Sequence, residues 1–106
     1  MNSTVRLDNW GIAHVESTNA IAAFEAQGWI AASDRIWQMD SDRLKALGRW
    51  SEIVGPKALK EDAFFRRLGL AHVAQADWAS LSPQSREMTE CYAKGVNRWL
   101  EEHSND

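Results

Sequence analysis

The run of apolar positions between residues 21 and 48 most constrains what this chain can fold into. Ile21, Phe24, Gly28, Ala32, Ile36, Met39, Arg43 and Leu47 recur at steps of three or four. That is the period of one helix face, so the pattern predicts a single long helical segment ending near residue 48. Gly28 lies on the stripe. A glycine inside a helix costs roughly 0.5–1 kcal/mol relative to alanine, which predicts a close backbone approach there. Gly48 stands where the helix should end or bend.

The segments on either side carry different periods. Thr4 to Asp8 alternates Val5 and Leu7 with Arg6 and Asp8, the pattern of a half-buried strand. Asn9-Trp10-Gly11 punctuates it, and Ile12 to Glu16 resumes with Val15. A pair of strands this short is barely stable alone and needs a sheet to join. Ser17 or Thr18 is the expected N-cap of the long helix. Downstream, Trp50 to Val54 forms a short turn and Gly55-Pro56 breaks the chain. Residues 57 to 80 read as helical with Gly69 interrupting. Leu59, Phe64, Leu68, His72, Val73, Ala76 and Trp78 are the expected core there. Ser82 followed by Pro83 is a favoured helix start. Met88, Cys91, Tyr92, Gly95, Val96, Trp99 and Leu100 then share one face, and the polar tail Glu101 to Asp106 ends it. The expected fold is mainly α, with three to four helices behind a short N-terminal strand pair. Residues 1–16 hold the strands and 17–106 the helices, as parts of one domain of ordinary size.

Several function classes fall away. Twelve Lys and Arg against 15 Asp and Glu give a net charge of −3, and no basic block exceeds Arg66-Arg67, so nucleic acid is not an expected partner. The single cysteine, Cys91, cannot form an internal disulfide and shows no metal-ligand spacing. No run of eighteen apolar residues is present, so no membrane span is expected. Met1 to Thr4 leads straight into Val5 with no basic region, apolar region and cleavage site. Either the full protein stays in the cytoplasm or its signal was removed ahead of Met1. The six tryptophans are spread along the chain, which argues against an aromatic platform and for some of them facing a neighbouring domain.

The chemistry-bearing residues are sparse. Asp34, Arg35, Gln38, Asp40, Asp42, Arg43, Arg49 and Glu52 form a charged band. On a helix Asp34 and Gln38 share a face at i,i+4, as do Arg35 and Met39, while Asp40 meets Arg43 at i,i+3. Asp34, Asp40 and Asp42 could be read as a cation site. The intervening arginines and the lack of an oxygen-rich loop favour ion pairs that organise the helix instead. His14, His72 and His103 are too dispersed for a metal site. Cys91 reads as a packed thiol rather than a nucleophile. No serine sits in a Gly-x-Ser-x-Gly turn, and Ser3 lies behind Met1-Asn2.

In combination these pieces resemble a known family. Val5-Arg6-Leu7-Asp8, then Gly11-Ile12-Ala13-His14-Val15, then Phe24 to Trp29 precede Asp34-Arg35-Ile36-Trp37-Gln38-Met39. Arg43, Gly48, Glu52 and Gly55 follow, with Asp62 and Arg66, and then Ser80-Leu81-Ser82, Tyr92-Ala93, Gly95-Val96-Asn97 and Trp99. The order resembles the opening of the α-chain of penicillin amidases, the acylase branch of the N-terminal-nucleophile hydrolases. Departures are Ala13, where the family commonly has Pro, Ser33 before the Asp-Arg pair, and Lys45 in an Arg-rich region. They leave the acylase subgroup open.

The resemblance implies a helical segment cut from a larger α+β fold and a precursor that cleaves itself. A Ser, less often Cys or Thr, begins the second chain and attacks the amide carbonyl with its own α-amino group as base; backbone and Asn donors hold the oxyanion. It implies that any calcium site or acyl pocket draws on residues beyond Asp106. No catalytic, substrate-binding or metal residue is therefore carried onto this chain, and no cofactor is expected in it. Asp34, Arg35, Gln38, Met39 and Arg43 are expected to be a structural motif. The expected partner is the remainder of the precursor, including its β-chain, and self-association of the separate segment is expected from uncovered apolar surface. The family is often periplasmic or secreted, though no signal peptide is present here. The alternative is a free-standing helical module that binds a partner through its apolar and tryptophan-bearing faces.

Overall fold

In a computed structural model of the chain, residues 3–105 are described. Met1 and Asn2, and Asp106 at the end of the expected polar tail, lie outside the described residues. The elements are β1 (Ser3–Leu7), β2 (Ala13–Ser17), α1 (Ala20–Ala46), α2 (Ser51–Val54), a 3-10 turn (Pro56–Ala58), α3 (Leu59–Leu68), α4 (Leu70–Ser80) and α5 (Pro83–Glu102). The fold is mainly α, and the described residues form four helices of ten residues or more and one two-stranded sheet.

By packing the chain divides into two units. One comprises Met1–Arg35 with Ser82–Asp106, the other Ile36–Leu81. The strands fall in one unit with the first part of α1 and with α5. The division cuts α1 at Arg35, whose φ of −151° and ψ of 36° leave the helical region. A periodicity argument cannot see such a kink, since the apolar stripe continues through it.

In the first unit, β1 and β2 pair antiparallel with Ser3 opposite Ser17, Val5 opposite Val15 and Leu7 opposite Ala13. Val5 and Val15 are half-buried, as the alternation predicted, but Leu7, placed on the same face by that alternation, is exposed at the strand end. Asp8 builds the turn. Its Oδ1 accepts the N–H groups of Trp10 and Ile12, each at 2.9 Å, and its Oδ2 lies 2.9 Å from His14 Nε2. His14, followed by the Ile12 N–H, holds the Asp8 carboxyl below its usual range. The expected helix cap needs correction. Asn19, not Ser17 or Thr18, caps α1, its Oδ1 accepting the Ala22 N–H at 2.9 Å. Ser17 is instead taken into β2, where its hydroxyl meets that of Ser3. The Ser3 hydroxyl also donates to the Ala22 carbonyl at 3.1 Å, tying the sheet to α1.

The seam between α1 and α5 carries this unit's close packing. Ala26 and Ala32 are fully buried. A Cβ added at Gly28 would fall on the Tyr92 carbonyl oxygen, and one added at Gly95 on the Glu25 carbonyl oxygen. The reciprocal glycines let each backbone lie against the other, which accounts for a helix-weakening residue at both places. Around them the Trp29 indole N–H donates to Glu102 at 3.0 Å, and Arg98 lies 3.4 Å from Glu25. Ser82 accepts the Ser85 N–H at 3.2 Å and Pro83 opens α5, as expected of that pair. The predicted α5 face from Met88 to Trp99 is buried or half-buried, with Leu100 at its exposed edge.

The second unit has little interior. Ser41, Leu44, Gly48, Ala58 and Asp62 are its buried residues. Gly69 separates α3 from α4 as expected. The core assigned to residues 57–80 needs correction: Leu59, Phe64, Leu68, His72, Val73, Ala76 and Trp78 are all exposed. Periodicity reports which side chains share a face, and a shared face is buried only where a second surface meets it.

Candidate functional site

The Asp-Arg-Ile-Trp-Gln-Met segment sits on α1 where the kink falls. Asp34 closes a cleft whose other walls are Val5, Leu7, Trp29, Ile30 and Ser33. Arg35 is the kinked residue and is exposed. Because its backbone is not helical, a straight-helix argument for a shared face of Asp34 and Gln38 does not apply. Gln38 is exposed, with its carbonyl accepting the Ser41 hydroxyl at 2.9 Å, and Met39 is half-buried. Arg43 meets Asp40 through Nε and Nη2 at 3.1 and 2.9 Å, the expected i,i+3 pair. The motif residues thus divide between the two units, Asp34 and Arg35 in the first, Gln38, Met39 and Arg43 in the second.

The best-built polar constellation lies in the second unit around Asp62, one of its few buried polar side chains. Its two carboxylate oxygens accept the N–H groups of Trp50 and Ser51, each at 2.9 Å. Burial alone would raise the Asp62 pKa; hydrogen bonds from Ser51 and Trp50, with Arg66 nearby, outweigh it and hold the carboxyl below its usual range. The Arg66 Nε donates to the Gly48 carbonyl at 3.0 Å. Gly48 has a φ of +67°, and a Cβ there would press on the Arg66 side chain and the Asp62 carbonyl. Glycine is required at 48 on both counts. Arg49 and Glu52 form an ion pair at 2.6 Å beside it, and the Arg49 hydrogen bond pulls the Glu52 carboxyl down.

This node ends α1, starts α2 and anchors both to α3. Its parts were visible in the sequence only as family-like residues. No local pattern announced that Asp62 would cap a turn 11 and 12 residues upstream. Each of its two oxygens accepts one backbone N–H of the turn, and this ties α3 to the start of α2.

The remaining candidates take structural places. Ser3 lies in β1 with its hydroxyl engaged, His14 braces the hairpin, and His103 stacks on Trp99 with its Nδ1 2.8 Å from the Trp99 carbonyl. His72 is exposed and Cys91 half-buried. Two tryptophans do meet, contrary to their even spacing: the Trp37 and Trp50 rings stand 6.4 Å apart, and Lys45 Nζ lies 4.9 Å from the Trp50 ring. Among the described residues, no three His, Cys, Asp or Glu side chains gather as a metal site would require.

A strand pair, two helices in close contact through glycines and a carboxylate-capped turn are the best-built features of the described residues. The chain belongs to the penicillin amidase family, whose model matches residues 2–106. It is 38% identical over 96 residues to the penicillin acylase 2 proenzyme of Pseudomonas sp. (strain SE83), a match that covers 91% of this chain and 12% of that proenzyme. It is 39% identical over 99 residues to the acyl-homoserine lactone acylase QuiP of Pseudomonas aeruginosa, covering 93% of this chain and 12% of that enzyme. The solved thermostable penicillin G acylase of Alcaligenes faecalis superposes with a TM-score of 0.83 at 29% identity, covering 94% of this chain and 53% of the solved one. The chain thus spans about an eighth of the length of the curated relatives it matches.

Proposed function

We propose that this chain is the opening segment of the α-chain of a penicillin-amidase-type acylase and serves that enzyme as scaffold. The parent enzyme hydrolyses the amide bond of N-acyl substrates, drawn from β-lactam side chains, N-acyl amino acids or acyl-homoserine lactones. Its nucleophile is the first residue of a second chain freed by self-cleavage, and that β-chain is the permanent partner. Calcium, where the parent binds it, is held by residues outside this segment. Asp34, Arg35, Gln38, Met39 and Arg43 organise α1 and make no contact with substrate. One observation carries this reading: the match to the family runs from end to end of the chain yet covers 12% of its relatives.

The purified 106-residue chain is expected to hydrolyse neither phenylacetyl nor fatty-acyl amides, nor acyl-homoserine lactones. It is expected to self-associate in sedimentation at high concentration. Turnover of any of those amides by the chain alone overturns the scaffold reading. The gene provides the second test. Several hundred further codons with a Gly-Ser or similar cleavage junction support the acylase segment; a native stop after Asp106 supports a free-standing interaction module instead.

A further inference from the structure

We infer that this chain dimerises through its N-terminal hairpin, the Trp10 indole of each copy seated in the cleft between β1 and α1 of the other. The inference names a surface for the self-association expected above and rests on that expectation. Trp10 is 87% exposed at the hairpin tip, and Leu7 and Ile12 beside it are also exposed. The loop that carries it is fixed. The Asp8 carboxylate accepts the Trp10 and Ile12 N–H groups, and the Asp8 main chain bonds to Gly11 and Ile12 at 3.0 Å each. Gly11, at a φ of +79°, supplies the turn these bonds require. Trp37, also exposed, meets the Trp50 ring, whereas among the described residues no ring meets Trp10. A large aromatic on a pre-ordered loop loses little freedom on binding, which suits it to anchor an interface.

The receiving surface lies in the same unit. Val5 and Leu7 on β1, with Trp29, Ile30, Ser33 and Asp34 on α1, wall a cleft of about 420 Å³. That is the size of a small-ligand pocket, room enough for one indole. Four of the walls are apolar, and the one charged group is Asp34. Among the described residues no ion pair or side-chain hydrogen bond engages the Asp34 carboxylate. A carboxylate accepts and an indole N–H donates, so a tryptophan fills the apolar part and meets the polar end.

The occupant follows from where the two halves sit. Trp10 stands three residues from Leu7, so tip and cleft lie within about 11 Å of each other along the chain. Trp10 does not fill the cleft of its own chain, as its exposure shows. Anchor and cleft therefore form one self-complementary patch. A two-fold interface requires such a patch, each copy giving one tryptophan and taking one. Two insertions rimmed by Leu7 and Ile12 make a small interface, under about 1,200 Å², so the dimer is weak.

Sedimentation equilibrium of the full 106-residue chain from about 10 μM to about 1 mM reads the dimer. Trp10→Ala removes the anchor, and Leu7→Glu places a second carboxylate in the cleft with Asp34. Both replaced side chains are exposed, so each variant should keep the helicity and melting temperature of the wild type. Each alone should weaken dimerisation by about tenfold or more, and Asp34→Ala by about threefold or more. The decisive measurement mixes the two crippled chains. Trp10→Ala keeps its cleft and Leu7→Glu keeps its tryptophan, so the mixture retains one insertion of the two. It should dimerise about threefold or more better than either variant alone. A mixture no better than its components overturns reciprocal insertion. So does dimerisation that Trp10→Ala or Leu7→Glu leaves intact, which would move self-association to another surface. A wild-type chain that stays monomeric at about 1 mM overturns the inference and the expected self-association together. The acylase-segment reading stands apart from these results, since amide turnover and the downstream gene test it.

Discussion

Gly28→Ala tests one of the two reciprocal close approaches between α1 and α5. The new Cβ would fall on the Tyr92 carbonyl oxygen, with the carbonyl carbon 2.9 Å and the Cα 3.2 Å away. These are backbone atoms, so no rotamer change on α5 can relieve the overlap. Ordinary contact begins near 3.4 Å, so the two helices must part by about 1 Å or more. Parting them loosens packing at Ala26 and Ala32, now fully buried. Overpacking of this kind costs about 1–3 kcal/mol. The better helix propensity of alanine returns about 0.5–1 kcal/mol. The expected net loss of about 1–2 kcal/mol lowers the melting temperature by roughly 5–15 °C for a chain of this size. Thermal and urea unfolding followed by far-UV circular dichroism reads it. Gln27→Ala, one residue away and exposed, is the control and should stay within about 0.5 kcal/mol of wild type. Gly95→Ala should cost a similar amount, and the double variant less than the sum, because either alanine already parts the helices. A Gly28→Ala chain that melts at or above the wild-type temperature refutes the reciprocal-glycine seam.

Two further perturbations address the local devices. Asn19→Ala should destabilise the chain by about 1 kcal/mol while Thr18→Ala has little effect, since Asn19 alone of the two caps α1; equal melting of both variants would return the cap to the sequence-based assignment. Asp62, Asp8 and Glu52 all titrate below the ordinary carboxylate range. Their contribution is therefore complete above about pH 4, the unfolded value, and is lost as pH falls through the lower folded values. Asp62→Asn should lower the urea midpoint at pH 7, because an amide cannot accept both N–H groups, and should flatten its decline between about pH 4 and pH 2. An unchanged acid limb in that variant would show that Asp62 is not linked to folding.

The legible parts of this fold were those decided within a few residues. The alternation that pairs Val5 with Val15, the Ser82-Pro83 start, and the breaks at Gly48, Gly55 and Gly69 each follow from backbone geometry or a nearby side chain. The α1 cap was misplaced by one or two residues because Ser17, Thr18 and Asn19 are all acceptable caps. Strand pairing claimed Ser17 and only the three-dimensional register chose Asn19. The Asp62 node was not legible as a cap, since its donors lie more than ten residues away. The kink at Arg35 was hidden for the opposite reason, because the apolar stripe runs through it unchanged.

By itself, the sequence determined the elements, their order, the family to which they belong and the presence of a glycine at each close crossing. Those properties are written in local period, propensity and residue identity. Tertiary structure decided which apolar residues find cover. Met88, Tyr92 and Val96 on α5 pack in the first unit, whereas Phe64, Leu68 and Val73 in the second remain open to solvent. Hydrophobic spacing is a property of one segment, but burial is a property of two surfaces.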